Sequence, residues 1–245
     1  MRYLIDADIV AFKAASSSER AIDWGDGLWT LHSYEDEAKA HALDYLNRIR
    51  EKLGDGEMCL YLTSPHNWRK EILPTYKSNR KDVRKPLVLP AIKQWMVDEL
   101  GAQVWDTFEA DDIIGIEATG WGGVIISEDK DLLTIPCELF NPAKDDYIRV
   151  IDTATADYNH MLQTLTGDAT DGYSGCPTVG PKRAEAILKG CTTVAEMWTA
   201  VVAAYAKQNL SEDVALTMAQ VARICRVEQF NMKTKKVRLW TPPTM

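Results

Sequence analysis

Apolar residues recur along the chain in two rhythms. Short unbroken runs lie at 3–5, 58–62, 103–105 and 123–126. Runs of that length without polar alternation read as strands buried on both faces. Between them the spacing changes to that of helices. Within 38–53 the apolar positions are Ala42, Tyr45, Leu46, Ile49 and Leu53, and within 89–100 they are Ile92, Trp95, Met96 and Leu100, with Gly101 as the stop. Strands alternating with helices predict a mostly parallel sheet covered on both faces. Residues 21–32 depart from that rhythm and read as two short strands around Gly25-Asp26-Gly27, a hairpin insertion with no evident function. Beyond about 152 the strand-like runs largely stop, and 158–165, 181–188, 194–206 and 213–227 all look helical. The expected organisation is an α/β part over 1–152 followed by a helical part over 153–245.

Composition narrows the class. Of 245 residues, 46% are hydrophobic and 26% charged, the balance of a folded globular chain. Five widely spread cysteines with no CxxC pair, and four scattered histidines, predict neither a zinc site nor a disulfide framework. Asp6 and Asp8 interrupt the N-terminal apolar stretch, so no signal peptide is expected, and no 18-residue apolar run predicts a membrane span. A cytoplasmic protein with reduced cysteines is the resulting expectation. The net charge of −8 argues at first sight against a nucleic-acid partner.

The positions of the carboxylates change that picture. Asp6 and Asp8 close the first apolar run, where period-two alternation places both on one face. Glu109-Ala-Asp111-Asp112 follows the third run and opens a helix, on which Glu109 and Asp112 share a face. Asp129 and Asp131 follow the fourth. Ligand sites of parallel sheets lie beyond the carboxyl ends of the strands. Carboxylates converging there repel one another unless a cation neutralises them, and oxygen-only ligands suit Mg²⁺ or Mn²⁺. A lone Asp at a strand end is usually a helix cap or a solvated turn, and Glu109 and Asp112 alone are also explained as acids favouring a helix N-terminus. Three such placements at successive strand ends are harder to explain that way. A fourth cluster, Gly167-Asp168-Ala-Thr-Asp171-Gly172, precedes Gly175-Cys-Pro-Thr-Val-Gly180-Pro181-Lys182-Arg183. The glycines and Pro181 read as a tight turn into a helix, either a plain connection or a turn whose amides hold a phosphate.

Residues 66–85 hold seven Lys or Arg and two acids, a local charge of +5, with Trp68 and Tyr76 among them. Cations interleaved with aromatics suit a single nucleic-acid strand, so Trp68, Arg69, Tyr76, Lys81, Arg84 and Lys85 are candidate contacts. Lys233, Lys235, Lys236 and Arg238 carry no pattern and read as a solvated tail. Ser127, Thr63 and the cysteines have no nearby His base, so covalent catalysis is not predicted.

Taken in order, Leu4-Ile-Asp6, Pro74-Thr-Tyr76-Lys77-Ser-Asn79-Arg80, Glu109-Ala-Asp111-Asp112, Asp129-Lys-Asp131-Leu132, and Gly167-Asp168-Ala-Thr-Asp171 with Val179-Gly180-Pro181-Lys182 resemble the 5′-nuclease family. That family comprises flap endonucleases, phage-type 5′→3′ exonucleases and the 5′-nuclease domains of bacterial DNA polymerases. The likeness covers residues 4 to about 188; nothing in 189–245 matches. It implies a PIN-like, Rossmann-like α/β fold with a helix-three-turn-helix element that binds duplex through Gly180, Lys182 and Arg183. It implies two Mg²⁺ ions, replaceable by Mn²⁺, and K⁺ at the Gly-Pro turn. One ion falls to Asp6, Glu109, Asp111 and Asp129, the other to Asp131, Asp168 and Asp171, with Asp112 adjoining directly or through water. Lys77 and Arg80 match residues that contact the scissile phosphate.

The resemblance departs at one place. The family usually has an Asp at the end of its second strand, ahead of an FR or WR pair. Here that segment reads Leu60-Tyr-Leu-Thr63-Ser64-Pro65-His-Asn-Trp68-Arg69, with no carboxylate. Asp8, on the Asp6 face, is the expected partial substitute. The implied activity is two-metal hydrolysis of DNA with 5′ ends, flaps or gaps, leaving a 5′-phosphate, by a monomer from a phage or bacterium. A PIN-type ribonuclease and a non-catalytic DNA-structure-binding module share the acidic sheet and are the competing readings. The nine acids assigned to or beside the site also account for the net charge, since the rest of the chain without them sums to +1.

Overall fold

The computed structural model describes residues 1–243. Its central strand is β1 (Arg2–Asp6). Tyr3 and Ile5 point into one face of the sheet and Leu4 into the other, and all three are completely buried, which is why the run lacks alternation. The chain continues through α1 (Ala7–Ser17), a ribbon of β2 (Glu19–Asp23) and β3 (Trp29–Ser33), α2 (Glu35–Leu53) and β4 (Glu57–Leu62). A single turn, α3 (Arg69–Ile72), opens the basic segment, and α4 (Leu89–Leu100), β5 (Gln103–Val104), α5 (Ala110–Trp121), β6 (Val124–Ile126), β7 (Cys137–Phe140) and β8 (Arg149–Ile151) follow.

The six sheet strands lie in the order β5-β4-β1-β6-β7-β8, parallel except for the antiparallel β8. Ile5 is level with Leu60 and Ile126, so the carboxyl ends of the three central strands open at one height. Small and apolar residues of α1, α2 and α4 cover one face of the sheet, among them Ala11, Ala42 and Met96. Ile113, Ile114 and Ile116 of α5 cover the other. This is the parallel, two-sided α/β sheet expected from the chain.

The remaining elements are α6 (Thr153–Thr166), α7 (Pro181–Leu188), α8 (Val194–Ala206), α9 (Glu212–Ala222) and a short hairpin of β9 (Phe230–Asn231) and β10 (Lys236–Val237). The four helices share a core that includes Leu165, Leu188, Val201, Tyr205 and Ala219, and Tyr76 of the basic segment packs into it. Past α9 the chain returns to the α/β part. Ile224, Cys225 and Phe230 are buried in the same cluster as Ile113 and Leu139. The approach is so close that a Cβ on Gly115 of α5 would stand 2.3 Å from the Cys225 carbonyl oxygen.

Five features differ from the sequence reading. The run at 103–105 is not buried on both faces: it forms β5 at the edge of the sheet, where Gln103 and Val104 are exposed. The chain becomes helical at Ala7, not after Asp8, because the Asp6 carboxylate accepts from the amides of Asp8 (3.1 Å) and Ile9 (3.3 Å) and caps α1. Asp6 and Asp8 are therefore a cap and a first-turn residue, not alternate positions of one strand. β7 and β8 escaped notice because each is only three or four residues long and carries a charge. The helix read over 213–227 ends at Ala222. The basic run at 233–238 forms the turn and second strand of the terminal hairpin rather than a tail. The ribbon of β2 and β3 is present as expected; among the described residues its strands pair only with each other, and Trp24, Leu28 and Trp29 are each about 60% exposed.

Candidate active site

Carboxylates gather at the carboxyl ends of β1 and β6 and at the start of α5. Asp6 ends β1, and its second oxygen accepts from the Ser127 hydroxyl (3.3 Å) just beyond β6. Asp129 caps the 3₁₀ turn Lys130–Thr134 by accepting from the Asp131 amide at 2.9 Å. Asp111 lies in the first turn of α5, with an Oδ1 closed off from solvent that accepts no hydrogen bond. These groups act on one another. Burial, then the charges of Asp8 and Asp129, push Asp6 up to about 7. Burial and the charges of Asp6 and Asp129 push Asp111 well above the usual carboxylate range.

A second set adjoins the first. Asp131, which accepts from Gln163 at 2.9 Å, is pushed up to about 7 by burial and by Asp129, Asp168 and Asp171. Asp168 anchors its own loop, accepting from the amides of Thr170 (2.7 Å) and Asp171 (3.2 Å). Burial opposes its charge, but Lys130 at 3.0 Å and those amides hold it below the ordinary range. Gln163 and Lys130 are not among the residues the sequence points to, and Ser127 enters there only as a nucleophile without a base, not as a partner of Asp6 and Asp129. Only Lys130, between two acids, carried a local signal.

Cations close the site from the basic segment. Lys77 sits in the left-handed backbone region (φ 53°), and its amide donates to the Asp171 carbonyl at 2.8 Å. Its ammonium pairs with Glu109 and lies 3.5 Å from Asp171, while Arg80 pairs with Asp171. The Tyr76 hydroxyl stands 2.9 Å from both Glu109 and Asp171.

Several residues expected to face a nucleic-acid strand do not. Trp68, Arg69 and Tyr76 are 4%, 1% and 2% exposed, so their side chains are closed to a ligand strand. Their cations and rings serve the interior instead. Asp112 is likewise removed from the ion-binding set. It is completely buried, receives two Arg69 hydrogen bonds (2.7 and 2.8 Å), and also accepts from Trp68 Nε1 and the Cys225 amide, both at 3.0 Å. Burial alone would raise its pKa; the Arg69 guanidinium and these donors hold it below the ordinary value. Arg84 is exposed but pairs with Glu19 at the root of the ribbon (2.9 Å). Lys81 and Lys85 are exposed and carry no ion pair among the described residues. Gly180 caps α7 with Pro181 at its first position, and Lys182 and Arg183 are exposed beside it.

At the end of β4, where the resemblance expects an acid, Thr63 makes a structural link. Its hydroxyl accepts from the Ala110 amide and its own amide donates to Asp8, both at 3.0 Å. Asp8 thus reaches the β4 end, with its other oxygen paired to Lys93.

Among the described residues, no three His, Cys, Asp or Glu side chains are arranged to hold one ion as they stand. Glu109, Asp168 and Asp171 are engaged by lysines and arginines. The donor set nevertheless fits a hard divalent cation. Every candidate donor is a carboxylate oxygen, Asp111 Oδ1 is closed off without a partner, and Asp6, Asp111 and Asp129 repel one another in a way that a bound cation relieves.

Comparisons with known proteins bear on the family and the fold. The family model described as the 5′-3′ exonuclease N-terminal resolvase-like domain matches residues 2–162. The exodeoxyribonuclease of Enterobacteria phage T3 is 30% identical, over 98% of this chain and 92% of that protein. The exonuclease of Escherichia phage T7 is 29% identical over 98% and 93%. In fold, the flap endonuclease of bacteriophage T5, solved in a complex with DNA and metal ions, superposes with a TM-score of 0.61 at 15% identity, covering 90% of this chain and 88% of that one. No helix among the described residues is long and apolar enough to cross a membrane. The chain belongs to the 5′–3′ exonuclease family.

Proposed function

We propose that this nuclease hydrolyses phosphodiester bonds of DNA at 5′ ends, gaps or flaps, with two Mg²⁺ ions that Mn²⁺ can replace. The observation that carries the reading is the gathering of Asp6, Asp111 and Asp129 at adjoining strand and helix ends, where Asp111 Oδ1 is closed off without a donor and Ser127 bridges Asp6 and the Asp129 amide. Asp6, Glu109, Asp111 and Asp129 would hold one ion, and Asp131, Asp168 and Asp171 the other. When bound, the ions supply an activated water and stabilise the leaving oxygen of an in-line displacement. Lys77 and Arg80 bind the scissile phosphate, exchanging their carboxylate partners for phosphate oxygens. Lys81 and Lys85 guide the single strand. Lys182 and Arg183, with the amides at the Gly180 turn, face the duplex; K⁺ at the same turn is what the family resemblance implies. In this reading 1–152 is the nuclease part and 153–245 the duplex-binding part of a monomer acting in the cytoplasm of a bacterium or phage-infected host. The relatives that span nearly the whole chain are phage exonucleases, and the T5 structure holds DNA and metal ions, which supports the choice of substrate and cofactor.

The test is cleavage of 5′-labelled duplex, gapped and flap DNA with Mg²⁺. Mononucleotide release marks exonuclease action, and junction-length fragments mark flap cleavage. Asp129→Ala is expected to abolish both while the melting transition stays cooperative. Full activity in that variant overturns the site assignment.

A further inference from the structure

We propose that the chain segment 221–226 is part of the active-site support and holds Glu109 in place through Arg69. The inference rests on the reading of Glu109 as an ion-binding carboxylate. It concerns a stretch that lies outside the matched family model, beyond the residues that carry the family resemblance.

Arg69 uses all five of its N–H donors. Nε donates to the Val221 carbonyl (2.9 Å), and Nη2 to the Arg223 carbonyl (2.7 Å) and to Asp112 Oδ1 (2.8 Å). Nη1 donates to Asp112 Oδ2 (2.7 Å) and to Glu109 Oε2 (3.1 Å). The Trp68 ring lies 4.3 Å beneath the guanidinium carbon. One planar cation therefore has two backbone carbonyls of the segment and two carboxylates of α5 and its cap as partners. Lysine, a point charge with three donors, cannot reach the same four groups. The segment is fixed in turn from two directions. The Cys225 amide donates to Asp112 Oδ1 at 3.0 Å, and the Cys225 carbonyl lies against Gly115, where a Cβ would stand 2.3 Å away.

Arg69 is thus a positioning residue. It touches no substrate, but Glu109 Oε2 lies where Arg69 and Tyr76 hold it, with Lys77 on the other oxygen, and Arg69 lies where the segment places it. Because the segment acts through main-chain atoms of Val221, Arg223 and Cys225, its role leaves no side-chain signature. Coupling of this kind is reciprocal: if the segment sets the ion affinity at Glu109, then ion binding must alter the segment.

The test uses the full chain without DNA, with Mn²⁺ as the probe. Mn²⁺ affinity is read by electron paramagnetic resonance, and amide hydrogen exchange is followed across 221–226. In the unaltered chain, Mn²⁺ should slow exchange in that segment severalfold. Arg69→Lys, and separately Gly115→Ala, should weaken Mn²⁺ binding about 10–100-fold, the usual effect of losing an outer support of a metal ligand, and should abolish the exchange response. A purely structural role would lower the melting temperature and leave Mn²⁺ affinity alone, and that result overturns the inference. If Arg69→Lys does not fold, Gly115→Ala and the exchange response of the unaltered chain decide the matter. If the unaltered chain binds no Mn²⁺, the ion-site reading falls and this inference with it. If it binds Mn²⁺ with no change in 221–226, this inference alone falls.

Discussion

Asp111 and Asp112 are neighbours in the first turn of α5, and the two sides of that turn treat a carboxylate in opposite ways. On the Asp112 side, Arg69, Trp68 and the Cys225 amide supply a complete set of donors, and the acid stays charged below its ordinary pKa despite total burial. On the Asp111 side, one oxygen has no donor, Asp6 and Asp129 are close, and the pKa is driven far up. Burial costs both groups; the difference lies in what surrounds them. A buried charge with all its partners present belongs to the architecture. A cluster of acids short of partners is a place prepared for something else.

The largest expected effect comes from spoiling the satisfied side. Asp112→Asn leaves Arg69 buried without its main counter-charge, which should cost about 3–5 kcal/mol of stability. For a chain of this size that is a fall of roughly 10 °C in melting temperature, read by calorimetry. A fall under about 2 °C would show that the Arg69–Asp112 pair does not anchor the fold. Asp111→Asn should do the reverse. It relieves repulsion, so the melting temperature holds or rises, while Mg²⁺-dependent cleavage of 5′-labelled DNA drops at least about a hundredfold. Equal loss of stability in both variants would erase the distinction between the two sides.

The smallest expected effect is in pH. Asp6 and Asp131 have folded-state values raised from 3.8 to about 7. Between those values the folded chain binds more protons than the unfolded one, so their contribution to stability falls as pH rises through that window. Asp112 has the opposite sign: its contribution is present above the ordinary carboxylate range and is lost in acid. Without metal, the melting temperature should therefore decline from about pH 5 toward pH 7–8, and the stabilisation added by Mg²⁺ should grow over the same interval. Melting curves with Mg²⁺ and with EDTA across that range give the answer. A Mg²⁺ increment that does not change with pH would separate these carboxylates from ion binding.

Much of this was readable from the chain. The runs at 3–5, 58–62 and 123–126 are central strands, and α4, α7 and α8 start and stop where their apolar spacing placed them. The acids at strand ends do converge around Asp6, Asp111 and Asp129. What local pattern could not carry was the choice between partners far apart in sequence. Asp-Ala-Asp at 6–8 has the same spacing whether it alternates on a strand or caps a helix, and the hydrogen bonds to Asp8 and Ile9 decide. Trp68, Arg69 and Tyr76 have the composition of a strand-binding surface. The same ring and guanidinium stack equally well inside the protein, and they do so because Asp112, Val221 and Arg223 wait there, up to 154 residues away.

The ribbon of β2 and β3 offers a lesson of another kind. The hydroxyls of Ser18 and Ser33 meet at 2.7 Å, and the Glu19–Arg84 pair ties the same root to the basic segment. The insertion therefore leaves and rejoins the frame at nearly one point. A loop with coincident ends imposes no strain on the elements it joins, so α1 and α2 can stay in register whatever hangs between them. The core therefore sets no length for such an appendage, and a hairpin bearing two exposed tryptophans can be shortened or replaced between Ser18 and Ser33 without displacing the carboxylates.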